Sequence, residues 1–313
     1  MAKSDILLET GTNELELLEI VLDKQSFGVN VAKVREIIIY DDSHRVDLPE
    51  APKSIVGLYS YRNQNFTIID LSIELEKPVD PDARRLVVVT EMNSLLVGIL
   101  VDKVNSIHRY SWDQVGSVDT FIVQGNTGKF TGSVKLNDKK LMLLLDLEHI
   151  SSKLLPETAL KEEDLERVVD REDLRKQKRI VIAEDSHLIR GMMTRLLHKA
   201  GYVNLKAFEN GQICYDNIIN WKKKDELKNN IDLLVTDIEM PMLDGLTMCK
   251  RIKEDLGLKH MPVIIFSSLI NEQMIVKCNS VHADGYISKP KIEGLVNLID
   301  TYLGLGSPNE KKK

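Results

Sequence analysis

The side chains with the most chemical potential lie in the second half of the chain, each directly after or within a short aliphatic run. Glu184-Asp185 follow RIVIA, Asp237 follows IDLLVT, Ser267 lies in PVIIFSS, and Lys289-Pro290 follow GYIS. If these runs are strands of one parallel sheet, the groups meet at its carboxyl edge, where open α/β sheets carry their functional residues. Three carboxylates gathered there repel one another and call for a compensating cation. A hard divalent ion such as Mg²⁺, which prefers oxygen ligands and retains phosphate oxygens, meets that need. Lys289 adds a mobile point charge and Ser267 a hydroxyl donor. The set suits receipt of a phosphoryl group, which needs an in-line nucleophile and charges stabilising the equatorial oxygens. Singly, each residue has a plainer use: the acidic pair as a helix cap, the Lys-Pro as a turn, the serine as a partner for a nearby carbonyl. Their succession at four strand ends, in order, favours the chemical reading.

The elements needed to position them are legible. From Arg179 the chain alternates strands RIVIA, VNLKAF, IDLLVTD, PVIIFSS and GYIS with helices. The first helix starts at Ser186, carries Ile189, Met192, Met193, Leu196, Leu197 and Ala200 on one face, and stops at Gly201. Others follow through Ile213 to Ile219, after Asp244-Gly245, through Met274 to Cys278, and through Leu295 to Tyr302. Strand–helix alternation predicts a doubly wound α/β domain with a five-stranded parallel sheet over 179–306. The stretch Trp221 to Asn230 is long for a helix-to-strand connection.

The first 150 residues read as short strands: Leu15 to Leu22, Gly28 to Val31, Phe66 to Leu71, Arg85 to Thr90, Ser94 to Val101, Gly132 to Leu136 and Lys140 to Leu147. Turn residues such as Asn137-Asp138 and Asn126 to Gly128 separate them, and one helix is expected just after Leu48-Pro-Glu-Ala-Pro. This all-β half holds no acid/base constellation. His44, His108 and His149 are scattered, and Gly125-Asn-Thr-Gly-Lys129 lacks the first glycine and the Ser/Thr of a phosphate loop. A binding module is the expectation. Between the halves, 151–178 is about half charged and glycine-free, with Leu160, Leu165, Val168 and Val169 as a narrow apolar stripe. That composition predicts a partly helical linker, with 307–313 as a short tail.

Composition bounds the partners. The net charge of −6 argues against a nucleic-acid binder, and no apolar run approaches a membrane span. Cys214, Cys249 and Cys278 form no metal-ligand spacing, and the first residues lack a signal-peptide pattern. A cytoplasmic protein is expected.

Glu184-Asp185, the run Asp237-Ile-Glu-Met-Pro-Met-Leu-Asp-Gly245, Ser267 and Lys289-Pro290 together resemble the response-regulator receiver family. The resemblance covers 179–304 and implies that Asp237 accepts a phosphoryl group from a phosphohistidine. It implies Mg²⁺ held by Glu184, Asp185, Asp237 and the carbonyl of Glu239, with Ser267 and Tyr286 as switch residues. The domain would not be an enzyme in its own right, beyond promoting its own phosphotransfer and dephosphorylation. Two features depart from the common pattern: Glu-Asp replaces Asp-Asp, and Glu239 sets a further carboxylate beside the site.

In the first half, Val29-Asn-Val-Ala-Lys-Val-Arg-Glu-Ile37, Leu48-Pro-x-x-Pro-x-x-Ile-Val-Gly57, Arg62 and Phe66-Thr-Ile-Ile-Asp-Leu71 resemble a CheW-type coupling domain. Residues 5–18 (DILLETGTNELELL) are similar to the start of CheV proteins, which join such a domain to a receiver. This resemblance implies a pair of small five-stranded β-barrels over 1–150 and partner contacts at Val34, Glu36, Gly57 and Arg62. It implies the chemoreceptor cytoplasmic tips and the histidine kinase CheA as partners, at membrane-associated receptor arrays. Tyr61-Arg62-Asn63 stands where a Leu-Arg-Gly turn is common, and Tyr59 and Tyr61 could alter receptor preference. The expected function is a chemotaxis scaffold whose coupling of receptors to CheA is adjusted by phosphorylation of Asp237. The alternative is a phosphate sink localised by its coupling domain. A haloacid-dehalogenase-type phosphatase would need a second Asp where Glu239 stands.

Overall fold

The structure is a computed structural model, and it describes residues 11–79, 84–93, 95–116, 128–155, 160, 165, 168 and 171–306. Residues 5–10 of the opening motif, Ser94, loop residues 125–127, Val169 and the tail 307–313 lie outside the described residues. Contacts divide the chain into two units. One comprises Leu15–Tyr110 and Gln114–Ala159; the other comprises Leu160–Lys313 with Met1–Glu14 and Ser111–Asp113.

The first unit is β-rich. Its strands are β1 (Glu14–Leu22), β2 (Gln25–Asn30), β3 (Val34–Ile39), β4 (Arg45–Val46), β5 (Ile55–Tyr61), β6 (Gln64–Asp70), β7 (Leu86–Met92), β8 (Leu95–Val101), β9 (Lys103–Ser111), β10 (Phe130–Asn137) and β11 (Lys140–Leu145). They form a five-stranded sheet, β10-β11-β2-β1-β9, and a six-stranded one, β3-β7-β8-β6-β5-β4. The second sheet thus exceeds the expected five strands by the two-residue β4. Tight turns set the register: Asp23 and Lys24 between β1 and β2, and Arg62 and Asn63 between β5 and β6, all have positive φ, the geometry that suits the twist of a two-residue hairpin. The helix expected after Leu48-Pro-Glu-Ala-Pro is absent; β5 begins at Ile55, because the apolar run that follows pairs with β6 instead.

The run Leu-Val-Val-Val of β7 does not alternate with polar residues because both its faces are covered. Val87 and Val89 join Ile38, Tyr59, Phe66 and Ile68 inside the second sheet, whereas Val88 packs with Ile20, Phe27 and Ile99 in the core shared by both sheets. Helices α1 (Leu71–Glu74) and α2 (Leu147–Leu154) flank these strands, each capped by an aspartate, Asp70 and Asp146. Helix α2 carries the first four residues of the expected linker, and its Leu147, Ile150 and Leu154 are buried in the shared core.

The second unit holds the parallel sheet β13-β12-β14-β15-β16, with β12 (Arg179–Ala183), β13 (Asn204–Phe208), β14 (Leu233–Thr236), β15 (Val263–Ser267) and β16 (Gly285–Ser288). This order, 2-1-3-4-5, is that of a flavodoxin-like doubly wound sheet. Helices α3 (Glu172–Arg175), α4 (His187–Lys199), α5 (Gly211–Lys223), α6 (Leu227–Asn230), α7 (Gly245–Lys253), α8 (Glu272–Ser280) and α9 (Ile292–Tyr302) accompany it. The long connection noted from Trp221 to Asn230 is filled by the end of α5 and the short α6. Val181, Leu234 and Ile265 face one core and Ile180, Val235 and Phe266 the other, as expected of strands buried on both sides.

Much of the charged stretch before β12 belongs to this unit. Leu160 is buried with Leu196 and Ile299. Arg175, only 2% exposed, donates from Nε to Asp300 Oδ1 at 2.9 Å, from Nη2 to Oδ2 at 2.6 Å, and from Nη1 to the Ala200 carbonyl at 2.7 Å. Tyr202 donates to the same carboxylate at 2.6 Å, and burial, reinforced by that anion, pushes the Tyr202 hydroxyl well above its usual pKa. Removing one partner of a buried, bidentate pair strands the other charge. Asp300→Ala is expected to destabilise the unit by about 3–5 kcal/mol. Urea unfolding followed by circular dichroism checks this, and replacing Arg175 by Met in the same chain should restore much of the loss.

Candidate functional site

Each member of the acidic set emerges where a strand stops. Strand β12 delivers Glu184, 1% exposed, and the half-buried Asp185; β14 delivers Asp237, 3% exposed; Lys289, 2% exposed, follows β16. Carboxylate oxygens of Glu184, Asp185 and Asp237 lie within 4.8 Å of one another. Lys289 Nζ donates to Asp237 Oδ2 at 2.8 Å and lies 3.0 Å from Glu184 Oε2, so the ammonium offsets two of the three anions. The peptide preceding Pro290 is cis.

The backbone around Asp237 is tightly prescribed. Its Oδ1 accepts from the Ile238 amide at 2.6 Å, and its carbonyl accepts from the Thr236 hydroxyl at 2.9 Å. A Cβ at Gly245 would stand 1.8 Å from that carbonyl oxygen; the glycine of Asp244-Gly245 lets the turn pass directly over Asp237. Asp244 caps α7, taking the Thr247 amide at 2.9 Å and the Thr247 hydroxyl on its two carboxylate oxygens.

Ser267 is fully buried at the end of β15, where its hydroxyl oxygen accepts weakly from the Leu269 amide at 3.4 Å. Tyr286 pairs with Ile265 and is partly buried against the core. Glu239 lies in the turn two residues past Asp237, half-buried. One residue escaped the sequence reading. Arg190 reaches back from α4, donating from Nη1 to the carbonyls of Glu184 at 2.8 Å and Asp185 at 3.0 Å. Its position one turn after the Ser186 cap was the available signal, since i and i+4 share a helix face.

The donor set is all oxygen, and its spacing lets one ion touch all three carboxylates, so Mg²⁺ fits these residues by size and hardness. The arrangement offers a carboxylate nucleophile, a divalent-cation seat and a mobile ammonium: the charges that phosphoryl transfer requires.

The expected partner residues of the first unit are dispersed in character. Val34 is half-buried against the shared core. Glu36 Oε2 meets Arg62 Nη1 at 3.3 Å on the surface. Gly57 is buried with φ +149°, and a Cβ there would lie 2.5 Å from the Val46 carbonyl oxygen, which is a backbone reason for glycine. Arg62 occupies the left-handed turn, its guanidinium over the Tyr61 ring at 5.0 Å. Tyr59 is 1% exposed, accepts from the Asp41 amide on its hydroxyl oxygen, and packs inside the second sheet; it has no surface with which to select receptors. His44 and His108 bond to Ser60 and Glu19, and burial lowers the pKa of His149.

Comparison with known proteins agrees with both halves. The CheW-like domain family matches residues 16–154 and the response regulator receiver domain family residues 180–300. The chain is 27% identical over 281 residues to chemotaxis protein CheV2 of Helicobacter pylori, with 86% of this chain and 87% of that protein covered. The chain joins a CheW-like domain to a response regulator receiver domain. A second CheV-type relative, chemotaxis protein CheV1 of Helicobacter pylori, is 23% identical with 94% of each chain covered. The CheW-like half of the chain is also 30% identical over 145 residues to a probable chemotaxis protein CheW of Rhizobium etli, covering 46% of this chain and 92% of that protein.

Because Lys289 occupies two of the anions that a divalent ion would use, the two cations compete. Lys289→Met is expected to tighten Mg²⁺ binding by roughly tenfold, about 1.4 kcal/mol. Isothermal titration calorimetry checks it; unchanged affinity would mean that Lys289 does not offset the cluster.

Proposed function

We propose that this CheV-type chain couples chemoreceptors to the histidine kinase CheA and that phosphorylation of Asp237 tunes the coupling, serving adaptation. The carrying observation is Asp237 hydrogen-bonded to Lys289 beside Glu184 and Asp185, in one chain with a CheW-like domain. Asp237 acts as nucleophile toward the phosphorus of a phosphohistidine, the P–N bond breaks as the donor's imidazole leaves with the bonding pair, and Lys289 follows the added charge onto the phosphoryl oxygens. Ser267 supplies a hydroxyl to the same oxygens, and Tyr286 turns further inward. Glu184, Asp185, Asp237 and the Glu239 carbonyl would hold Mg²⁺, whose charge stabilises the equatorial oxygens when bound. The protein is a phosphoacceptor rather than a turnover enzyme.

The coupling domain presents Val34, Glu36, Gly57 and Arg62 toward its partners, with the exposed Glu36–Arg62 pair as the recognising charges and Val34 and Gly57 shaping the surface. No helix among the described residues is long and apolar enough to cross a membrane, and the site of action is the cytoplasmic face of a receptor array. The stretch 151–178 is a transmission element between coupling and phosphorylation.

The test is a reconstituted receptor–kinase assembly with this protein as sole coupler, assayed with and without beryllofluoride and Mg²⁺, a phospho-aspartate mimic. Kinase activity is expected to shift in the wild type and not in Asp237→Asn. Coupling without any shift would favour a phosphate sink, and absence of coupling would refute the scaffold reading.

A further inference from the structure

Asn13 lies outside both family-matched ranges, 16–154 and 180–300, yet it is bonded at two points to the loop that leaves Asp237 and at a third to the first turn of α7. Its side-chain Oδ1 accepts from the Asp244 amide at 3.0 Å, its Nδ2 donates to the Met242 carbonyl at 3.0 Å, and its amide donates to Thr247 Oγ1 at 2.9 Å. Asn13 is itself fixed: its carbonyl accepts from the Trp112 amide at 2.8 Å and from the Ser111 hydroxyl at 3.1 Å. All these residues belong to one compact unit. Two residues earlier, Gly11 with φ +76° passes so close to α7 that a Cβ would stand 2.8 Å from Lys250 Cδ. Asn13 also has positive φ, 61°, a conformation that asparagine tolerates better than most residues.

The bonded loop is mechanically part of the acceptor. Gly245 donates its amide to the Ile238 carbonyl at 2.9 Å and packs on the Asp237 carbonyl, so 238–245 closes on itself over the nucleophile. Asn13 bonds this closed loop through Met242 and Asp244, and it bonds Thr247 just beyond. An amide-bearing side chain that satisfies one backbone donor and one backbone acceptor of the same loop stands in for a strand neighbour and removes loop freedom before any ligand arrives.

We infer that Asn13 is a positioning residue of the phosphoacceptor site, supplied from outside the receiver and preorganising the Asp237 loop for the phosphoryl group. The inference rests on the reading of Asp237 as phosphoacceptor and adds a regulatory input to it. Coupling of this kind is reciprocal: whatever displaces Asn13 weakens occupancy of the site, and occupancy of the site strengthens the hold on Asn13.

The experiment uses the full chain and measures beryllofluoride affinity at saturating Mg²⁺, together with amide hydrogen exchange at Asp244. Asn13→Gly keeps the left-handed backbone while deleting both side-chain bonds; Asn13→Asp keeps the acceptor for the Asp244 amide and loses the donor. Expected are roughly tenfold weaker binding and faster Asp244 exchange in Asn13→Gly, with Asn13→Asp intermediate. Faster exchange with unchanged or tighter affinity would reduce Asn13 to a structural tie and overturn the inference. If wild type itself fails to bind beryllofluoride, the phosphoacceptor reading falls, a result distinct from wild-type binding that Asn13→Gly leaves unaltered.

Discussion

Lys289 between Asp237 and Glu184 is the contact around which the second unit is arranged. Carboxylates this deeply buried repel at short range with little solvent to screen them, and leaving them uncompensated would cost the fold more than a single hydrogen bond returns. The ammonium at 2.8 and 3.0 Å from two of them lets the cluster persist without closing it, since a point charge on a long flexible stem can follow a new anion. The parallel sheet follows from this constraint. Only neighbouring parallel strands bring residues separated by about fifty to a hundred positions to one edge in fixed register, and burial of both faces holds that register. The glycine above Asp237 and the Arg190 bonds beneath the acidic pair then fix the backbone on either side of the charges.

The first unit solves a different problem. Its central strands β7 and β8 bury both faces through two adjoining cores, and its ionised residues are spent on order: Asp70 and Asp146 as helix caps, Lys33 against Glu148 at 3.2 Å, Glu36 against Arg62. No convergence of titratable groups comparable to the acidic edge occurs there among the described residues. A rigid surface with charge at its turns suits a scaffold, where affinity comes from a preformed shape and not from chemistry.

The segments around the receiver range carry a shared lesson about autonomy. Arg175 on Asp300 and Asn13 on the loop after Asp237 tie chain outside 180–300 to the receiver by buried polar bonds, and Leu160 does so by apolar packing in its core. A charged sequence that looks like a spacer can therefore be partly structural, because one bidentate pair suffices to hold a short helix in place. The receiver's stability and the freedom of its acceptor loop depend on chain beyond its own strands and helices.

The five parallel strands and the acidic set at their ends, Asp237 included, were determined by the sequence, because each acidic group follows an aliphatic run whose periodicity is local. The turn at Asn63 was likewise legible from a residue that accepts positive φ. What the sequence could not decide depends on partners distant along the chain. The apolar run after Pro52 is a strand because β6 is there to pair with it. Tyr59 is inside and not on a surface because Phe66 and Val87 close over it. Arg175 is buried because Asp300, 125 residues later, receives it. Asn13 gains a role only from a loop 229 to 231 positions away, and no local pattern in DILLETGTNELELL carries that information. Periodicity and turn chemistry act over a few residues; ion pairing and loop anchoring act through space, and only the tertiary structure decides them.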